Sequence, residues 1–213
     1  MDNQAMAQGP DYAAPPAMLR SLTRVAAPPR VRLLVTSRPV QSWTTKPAAM
    51  AIKVGDTLPS VHVHDGSPGN KVDIKELFAG KKGVLFGVPG AFTPTCTSSH
   101  VPSYVAKTAE LKAKNVEVIA TIAVNDSFVM SAWGQTFGET EIKFLADAGS
   151  QFAQATGLVL DTEQVLGNLG NPRLKRFAMY IEDSKVTGLA VVGVDDKVNE
   201  DTFAEKALEH FSK

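Results

Sequence analysis

A single cysteine, Cys96, is the only thiol in this 213-residue chain. One cysteine excludes a disulfide framework and any intramolecular disulfide, and it suits a reducing compartment. No apolar run approaches the ~20 residues of a membrane-spanning helix, so no membrane partner is expected. Basic and aromatic residues are nowhere clustered as a nucleic-acid surface requires, which removes nucleic acid from the expected partners. Acidic residues are missing between Tyr12 and Gly55, and arginine is nearly missing after Arg38, where only Arg173 and Arg176 occur. There is no internal repeat and no secretory apolar core. His62 and His64 share a strand face, but no further ligands at metal spacing accompany them, so neither a metal nor any other cofactor is expected. The chain ends Phe211-Ser212-Lys213, one residue short of the peroxisomal Ser-Lys-Leu address.

What is present divides into two regions. Hydrophobic residues make up 44% and charged residues 21%, ordinary for a globular protein. Residues 50–213 hold 16 Lys and Arg against 20 Asp and Glu, a net of −4, and read as one enzyme domain. Residues 1–49 differ in kind: Arg20, Arg24, Arg30, Arg32, Arg38 and Lys46 stand against only Asp2 and Asp11, amid many Ala, Pro, Ser and Thr. Arg-rich, Ser-rich, acid-poor leaders resemble mitochondrial transit peptides, so this segment is expected to be a disordered leader and the protein mitochondrial. Pro28, Pro29 and Pro39 would interrupt an amphipathic helix, which leaves an untargeted tail as the alternative. A start at Met18 improves the leader pattern. A start at Met50 would yield the catalytic domain alone, in the cytoplasm.

Periodicity gives the order of elements. Ser60–Asp65 alternates and reads as an edge strand. Asp73 can cap a short helix through Phe78, closed by Gly80. Gly83–Val88 reads as a buried strand, and the residues after it, through about Asn115, as a helix interrupted at Pro102. Val116–Val124 reads as a central strand, and Asn125-Asp126 caps a helix from Ser127 to about Phe137. Trp133 and Phe137 on that helix read as core or subunit contact. Ile142–Ala146 is a further strand, with a short helix near Gln151–Thr156. Arg176–Glu182 and Lys185–Val192 form a hairpin over Asp183-Ser184. A helix from Asp201 to Phe211 ends the domain, with Phe203, Ala207, Leu208 and Phe211 on one face. Strands interleaved with helices predict an α/β fold, a mixed central β-sheet flanked by helices.

Cys96 lies at the strand-to-helix turn in Val88-Pro89-Gly90-Ala91-Phe92-Thr93-Pro94-Thr95-Cys96. Helix N-terminal amides and the helix dipole favour a thiolate there, and the thiolate is the nucleophile. Thr93 supplies a hydroxyl that both donates and accepts. Pro89 and Pro94 stiffen the loop. Arg173 and Arg176 fall together in Asn171-Pro172-Arg173-Leu174-Lys175-Arg176-Phe177, in a domain that otherwise uses Lys, and Arg brings a permanent charge on a rigid donor fork.

Pro89-x-x-x-Thr93-x-x-Cys96 with a distant Arg176 resembles the active-site pattern of peroxiredoxins. The strings Lys81–Pro94 and Arg173–Phe177 are similar to the peroxiredoxin 5 or type II branch, and the resemblance runs from about Met50 to the C-terminus. It implies a thioredoxin-like fold and a thiol peroxidase that reduces hydrogen peroxide and organic hydroperoxides. Cys96 would attack the peroxide and become a sulfenic acid. Thr93 would orient peroxide and thiolate, Arg176 would stabilise the charge on the reacting atoms, and Pro89 would cover the site. Many relatives carry a resolving cysteine that this chain lacks, so the resemblance implies reduction by an external thiol: thioredoxin, glutaredoxin or glutathione. It also implies a homodimer.

Two alternatives stay open on the residues alone. His100, four residues after Cys96, would share its side of a continuous helix and could form a Cys-His hydrolase or transferase pair, while the family resemblance gives it a supporting place behind the site. A peroxide-sensing switch or holdase without efficient turnover is the other. A thioredoxin-type disulfide reductase is disfavoured further by Ser99, which leaves no C-x-x-C.

Overall fold

The computed structural model describes residues 51–193 and 200–213, which fall within one compact unit. The leader, with Met18 and Met50, lies outside the described residues. Nine strands are described: β1 His62–Asp65, β2 Lys71–Asp73, β3 Lys82–Gly87, β4 Val118–Ala123, β5 Lys143–Ala146, β6 Val159–Leu160, β7 Arg173–Leu174, β8 Phe177–Glu182 and β9 Lys185–Val191. Six α-helices alternate with them: α1 Ile74–Leu77, α2 Val101–Ala113, α3 Ser127–Gln135, α4 Gln151–Thr156, α5 Glu163–Leu169 and α6 Ala204–His210. Seven strands form one sheet in the order β2-β1-β5-β4-β3-β8-β9, and β6 pairs with β7 alone. The β3–β4 and β4–β5 pairs are parallel and the remaining pairs antiparallel, so the sheet is mixed as expected.

Strand alternation sends successive side chains into two separate cores. Leu85, Met179 and Ile181 point to the side covered by α1 and α4, where Ile74, Phe78, Phe152 and Ala153 pack. Val84, Phe86, Ala178 and Tyr180 point to the other side, against Tyr104 and Leu111 of α2, Met130 and Trp133 of α3, and Ala204 and Ala207 of α6. Gly87 at the end of β3 lies under the Phe177 ring, and a Cβ there would collide with that ring. The β8–β9 turn holds Asp183 at φ 48° and Ser184 at φ 61°, the paired left-handed conformation that matches strand twist in a two-residue hairpin.

Several expectations need correction. The Ser60–Asp65 segment is not an edge: β1 lies between β5 and the three-residue β2, which was too short to show alternation. Pro102 does not interrupt its helix. It sits in the first turn of α2, where a missing N–H costs nothing, and the irregularity lies upstream, in a π-turn over Cys96–His100. There Val101 N–H bonds back to the Cys96 carbonyl, widening the backbone ahead of the proline ring. The C-terminal helix begins later than expected: a 3-10 turn over Glu200–Thr202 and an extended Phe203 precede α6. Helix α5 and the β6–β7 pair were not anticipated, and α5 buries none of its residues, so no apolar stripe marks it.

Candidate active site

Buried β3 ends at Gly87, and Val88 N–H still bonds to the Ile122 carbonyl, fixing the strand end that carries the loop. Pro89 and Gly90 are buried; Ala91 N–H donates to Asn125 Oδ1 at 3.0 Å, tying the loop to the segment between β4 and α3. Phe92 adopts a left-handed φ of 59°, uncommon for a bulky residue, and stands 54% exposed. The Thr93 hydroxyl donates to the Gly90 carbonyl at 2.9 Å and closes this turn, and the Thr93 carbonyl accepts from Thr97 N–H to start the helix. Thr97 Oγ1 in turn accepts from the Trp133 indole at 3.1 Å. Cys96 thus opens the π-turn, fully buried.

Arg176 enters from the start of the β8 segment and is 2% exposed. Its Nη1 and Nη2 each lie 3.5 Å from Cys96 Sγ, so both arms of the fork face the sulfur. Eighty residues of sequence separate the two, and the β3–β8 pairing, with Gly87 opposite Phe177, brings them together. Arg173 behaves differently. It is half-buried and reaches the Val124 carbonyl at 3.3 Å and the Leu169 carbonyl at 3.1 Å, bracing loops beneath Gly90.

His100 is fully buried, and both its ring nitrogens are engaged: Nδ1 with Arg176 Nη1 at 3.1 Å, Nε2 with the Thr202 carbonyl at 2.9 Å. Burial, opposed by the Thr202 bond and aided by the Arg176 charge, pushes its pKa down to about 3, so the ring is neutral. The guanidinium bridges Cys96 and His100, which removes the direct Cys-His pair: the imidazole is engaged on Arg176 and Thr202 and not on the thiol. Sequence reasoning missed Asn125, read only as part of a helix cap, and the Thr202 carbonyl, a backbone group that no residue type announces. His62 is exposed and His64 half-buried, and no cluster of three His, Cys, Asp or Glu able to hold a metal occurs among the described residues. Nor is any described helix long and apolar enough to cross a membrane.

Fold and site together define a thioredoxin-like protein built around one arginine-held thiol. Comparisons with known proteins carry this to a family. The redoxin family profile matches residues 53–208. Chloroplastic peroxiredoxin-2E of Arabidopsis thaliana is 42% identical over 155 residues, 70% of this chain and 66% of that protein, just under two thirds of its length. Peroxiredoxin-2D of the same plant is 43% identical over 140 residues, 64% of this chain and 85% of that protein. The crystal structure of peroxiredoxin 5 from Alvinella pompejana superposes with a TM-score of 0.68 at 38% identity, covering 76% of this chain and 98% of that one. The chain belongs to the redoxin family, as a peroxiredoxin of the type II/Prx5 kind and hence a thiol-dependent peroxidase. These relatives do not favour the sensor or holdase alternative.

Proposed function

We propose that Cys96 is the peroxide-reacting thiol of a one-cysteine cycle, held by Arg176, aided by Thr93 and shielded by Pro89. The observation that carries this reading is the guanidinium fork at 3.5 Å on both arms from Sγ. The thiolate is the attacking form of a cysteine, and a permanent charge on a rigid donor fork faces the sulfur that carries the negative charge in that form. The thiolate attacks one peroxide oxygen, the O–O bond breaks, and the leaving oxygen takes a proton and departs as water or an alcohol. Cys96 becomes a sulfenic acid. Arg176 donors stabilise the negative charge moving from sulfur to the leaving oxygen. Because the Thr93 proton is committed to the Gly90 carbonyl, its hydroxyl offers the incoming peroxide lone pairs, accepting the peroxide O–H and turning its oxygen toward sulfur. A buried Pro89 keeps a second peroxide from reaching the sulfenate freely.

The cycle closes on an external thiol. One thiol displaces water from the sulfenic acid to give a mixed disulfide, and a second releases reduced Cys96. Thioredoxin, glutaredoxin and glutathione are the candidate donors. Peroxide consumption is followed with each donor separately: many turnovers per Cys96 with at least one are expected. A single turnover with every donor would contradict a catalytic cycle.

Two finer readings join this one. The protein works as a homodimer: Phe92 on the Cys96 loop and Phe128 in the first turn of α3, 54% and 68% exposed, offer apolar surface that a second copy would cover. Residues 1–49 form a separate leader that directs the 50–213 domain to the mitochondrion, with cytoplasmic residence if translation starts at Met50. The leader composition supports organelle import, and the chloroplastic relative is itself an organellar protein by name. Imaging of the full chain and of a chain starting at Met50, each fused to a fluorescent protein, tests this; identical distributions would contradict it.

A further inference from the structure

The Thr93 turn closes on the backbone of Gly90, so whatever holds Gly90 sets where the Thr93 hydroxyl lies. Thr93 Oγ1 donates to the Gly90 carbonyl at 2.9 Å, and the next amide, Ala91 N–H, donates to Asn125 Oδ1 at 3.0 Å. Gly90 does not have a positive φ, so its backbone conformation does not call for glycine. Its neighbours do. A Cβ on Gly90 would stand 3.2 Å from Arg173 Nη1, 3.3 Å from Thr93 Cγ2 and 3.6 Å from Asn125 Oδ1. The missing side chain lets the Arg173 guanidinium and the Thr93 methyl close on one stretch of backbone.

Arg173 is itself held at both ends. Its backbone lies in β7, paired with Leu160 of β6. Nη1 donates to the carbonyl of Val124, the residue before Asn125, and Nη2 donates to the Leu169 carbonyl at the end of α5. The fork therefore joins the end of β4, the end of α5 and the face of Gly90. This placement carries a penalty: Nε–H is buried with no hydrogen-bond partner among the described residues, and burial pulls the pKa of the group down. Stability alone does not call for such a group at this place. Contact with the turn that carries Thr93 does.

We propose that Arg173 is a positioning residue for peroxide reduction: tied by two arms to Val124 and Leu169, its guanidinium backs Gly90 and so fixes the Thr93 hydroxyl that receives the peroxide. The inference rests on the reading of Thr93 as the peroxide-orienting group. The hydrogen bonds of Arg173 go to Val124 and Leu169 and not to Cys96, so it acts through Thr93 and leaves the sulfur to Arg176. The two arginines of one segment thereby serve opposite partners of the reaction, Arg176 the thiol and Arg173 the incoming oxygen.

Two reactions of the reduced full-length chain separate this role from a merely structural one. Oxidation by hydrogen peroxide uses the Thr93 hydroxyl, whereas alkylation by iodoacetamide needs only the Cys96 sulfur. Both are followed from pH 5 to 9, by stopped-flow tryptophan fluorescence and by intact mass, with the melting temperature of each variant measured alongside. Arg173→Gln is expected to slow oxidation about ten- to a hundredfold, the range for a misplaced reactant contact. Alkylation should stay within about twofold of the parent and the pH–rate profile should keep its midpoint, because the partner of the sulfur is untouched. Arg173→Lys keeps the charge without the two arms and should stay below about half the parental oxidation rate. In a Thr93→Val background Arg173→Gln should cost no more than about a further twofold, since the hydroxyl it places is gone. If Arg173→Gln does not fold, Arg173→Met, which keeps the apolar stem, replaces it with the same expectations. A parental oxidation rate in the folded variant, an alkylation rate or pH profile that moves with oxidation, recovery by lysine beyond half, or costs that multiply in the double variant would each overturn the proposal. A parental rate in Thr93→Val would instead overturn the reading beneath it.

Discussion

The two sides of the sheet are built on different principles. On the side of α1 and α4 Ile74, Phe78, Leu85, Phe152 and Phe177 are all at 0% exposure, and the buried polar groups of α4, Asp147 and Thr156, are satisfied by that helix's own backbone. On the side of α2, α3 and α6 an apolar core of the same kind surrounds three buried polar groups, Cys96, His100 and Arg176, joined by hydrogen bonds. Burying a guanidinium is costly unless its donors are satisfied and its charge is matched. Here both arms of the fork face the Cys96 sulfur and Nη1 also meets His100 Nδ1. The first side supplies stability, and on the proposed function the second spends part of it to hold the reacting thiol in place.

Breaking each side separately sharpens this contrast. The largest effect is expected from Cys96→Ser, which should abolish peroxide consumption while leaving the melting temperature within a few degrees of the parent; retained consumption would move the chemistry elsewhere. Phe78→Ala, on the first side, should lower stability by about 3–5 kcal/mol through the cavity it leaves, yet leave the oxidation rate of the folded fraction unchanged. Denaturant unfolding and single-turnover kinetics on one preparation check both halves, and a rate loss without a stability loss would refute the division of labour.

Acid should act on the two sides with opposite signs. The His100 pKa is pushed down to about 3 in the folded protein from an ordinary 6.5, so the unfolded chain binds the proton first and stability falls as pH drops through that window. Asp147, which accepts from Phe152 and Ala153 N–H at the start of α4, is pushed up by burial to about 6 from 3.8. The folded protein binds that proton first, so this group adds stability as pH falls from about 6 to 3.8. Between pH 6.5 and 4, His100→Gln should therefore lose less stability than the parent and Asp147→Asn more. Melting curves across this range decide it, and parallel curves for all three would dismiss both titrations. The smallest effect is expected from Asn125→Ala, which frees Ala91 N–H and should slow oxidation by less than about tenfold, as one neutral hydrogen bond to a loop is worth about 1 kcal/mol. A loss beyond a hundredfold would mean that the residue does more than hold the loop.

The legible and illegible parts of the chain differ for physical reasons. Pro89, Thr93 and Cys96 lie on one short stretch of chain, so their spacing alone carries the pattern. Arg176 was legible through rarity, being one of two arginines after Arg38, and the β3–β8 register brings it to the sulfur. Strands β3, β4 and β5 and helices α3 and α4 declared themselves through apolar runs and caps such as Asp126, whose carboxylate accepts from Phe128 and Val129 N–H. What escaped had no residue signature. β2 is three residues long, α5 has no buried face, and the Thr202 contact to His100 runs through a backbone carbonyl 102 residues away. The π-turn escaped because Pro102 draws attention to itself, while the widened backbone lies one turn before it.

The most direct test of the account is the single-turnover oxidation of reduced Cys96 by hydrogen peroxide at neutral pH, in the parent and in Arg176→Lys. Lysine keeps the charge but not the fork. The account predicts a rate about a hundred- to a thousandfold lower, the usual cost of removing a placed donor from a charge-developing transition state. Equal rates in the two folded proteins would contradict it.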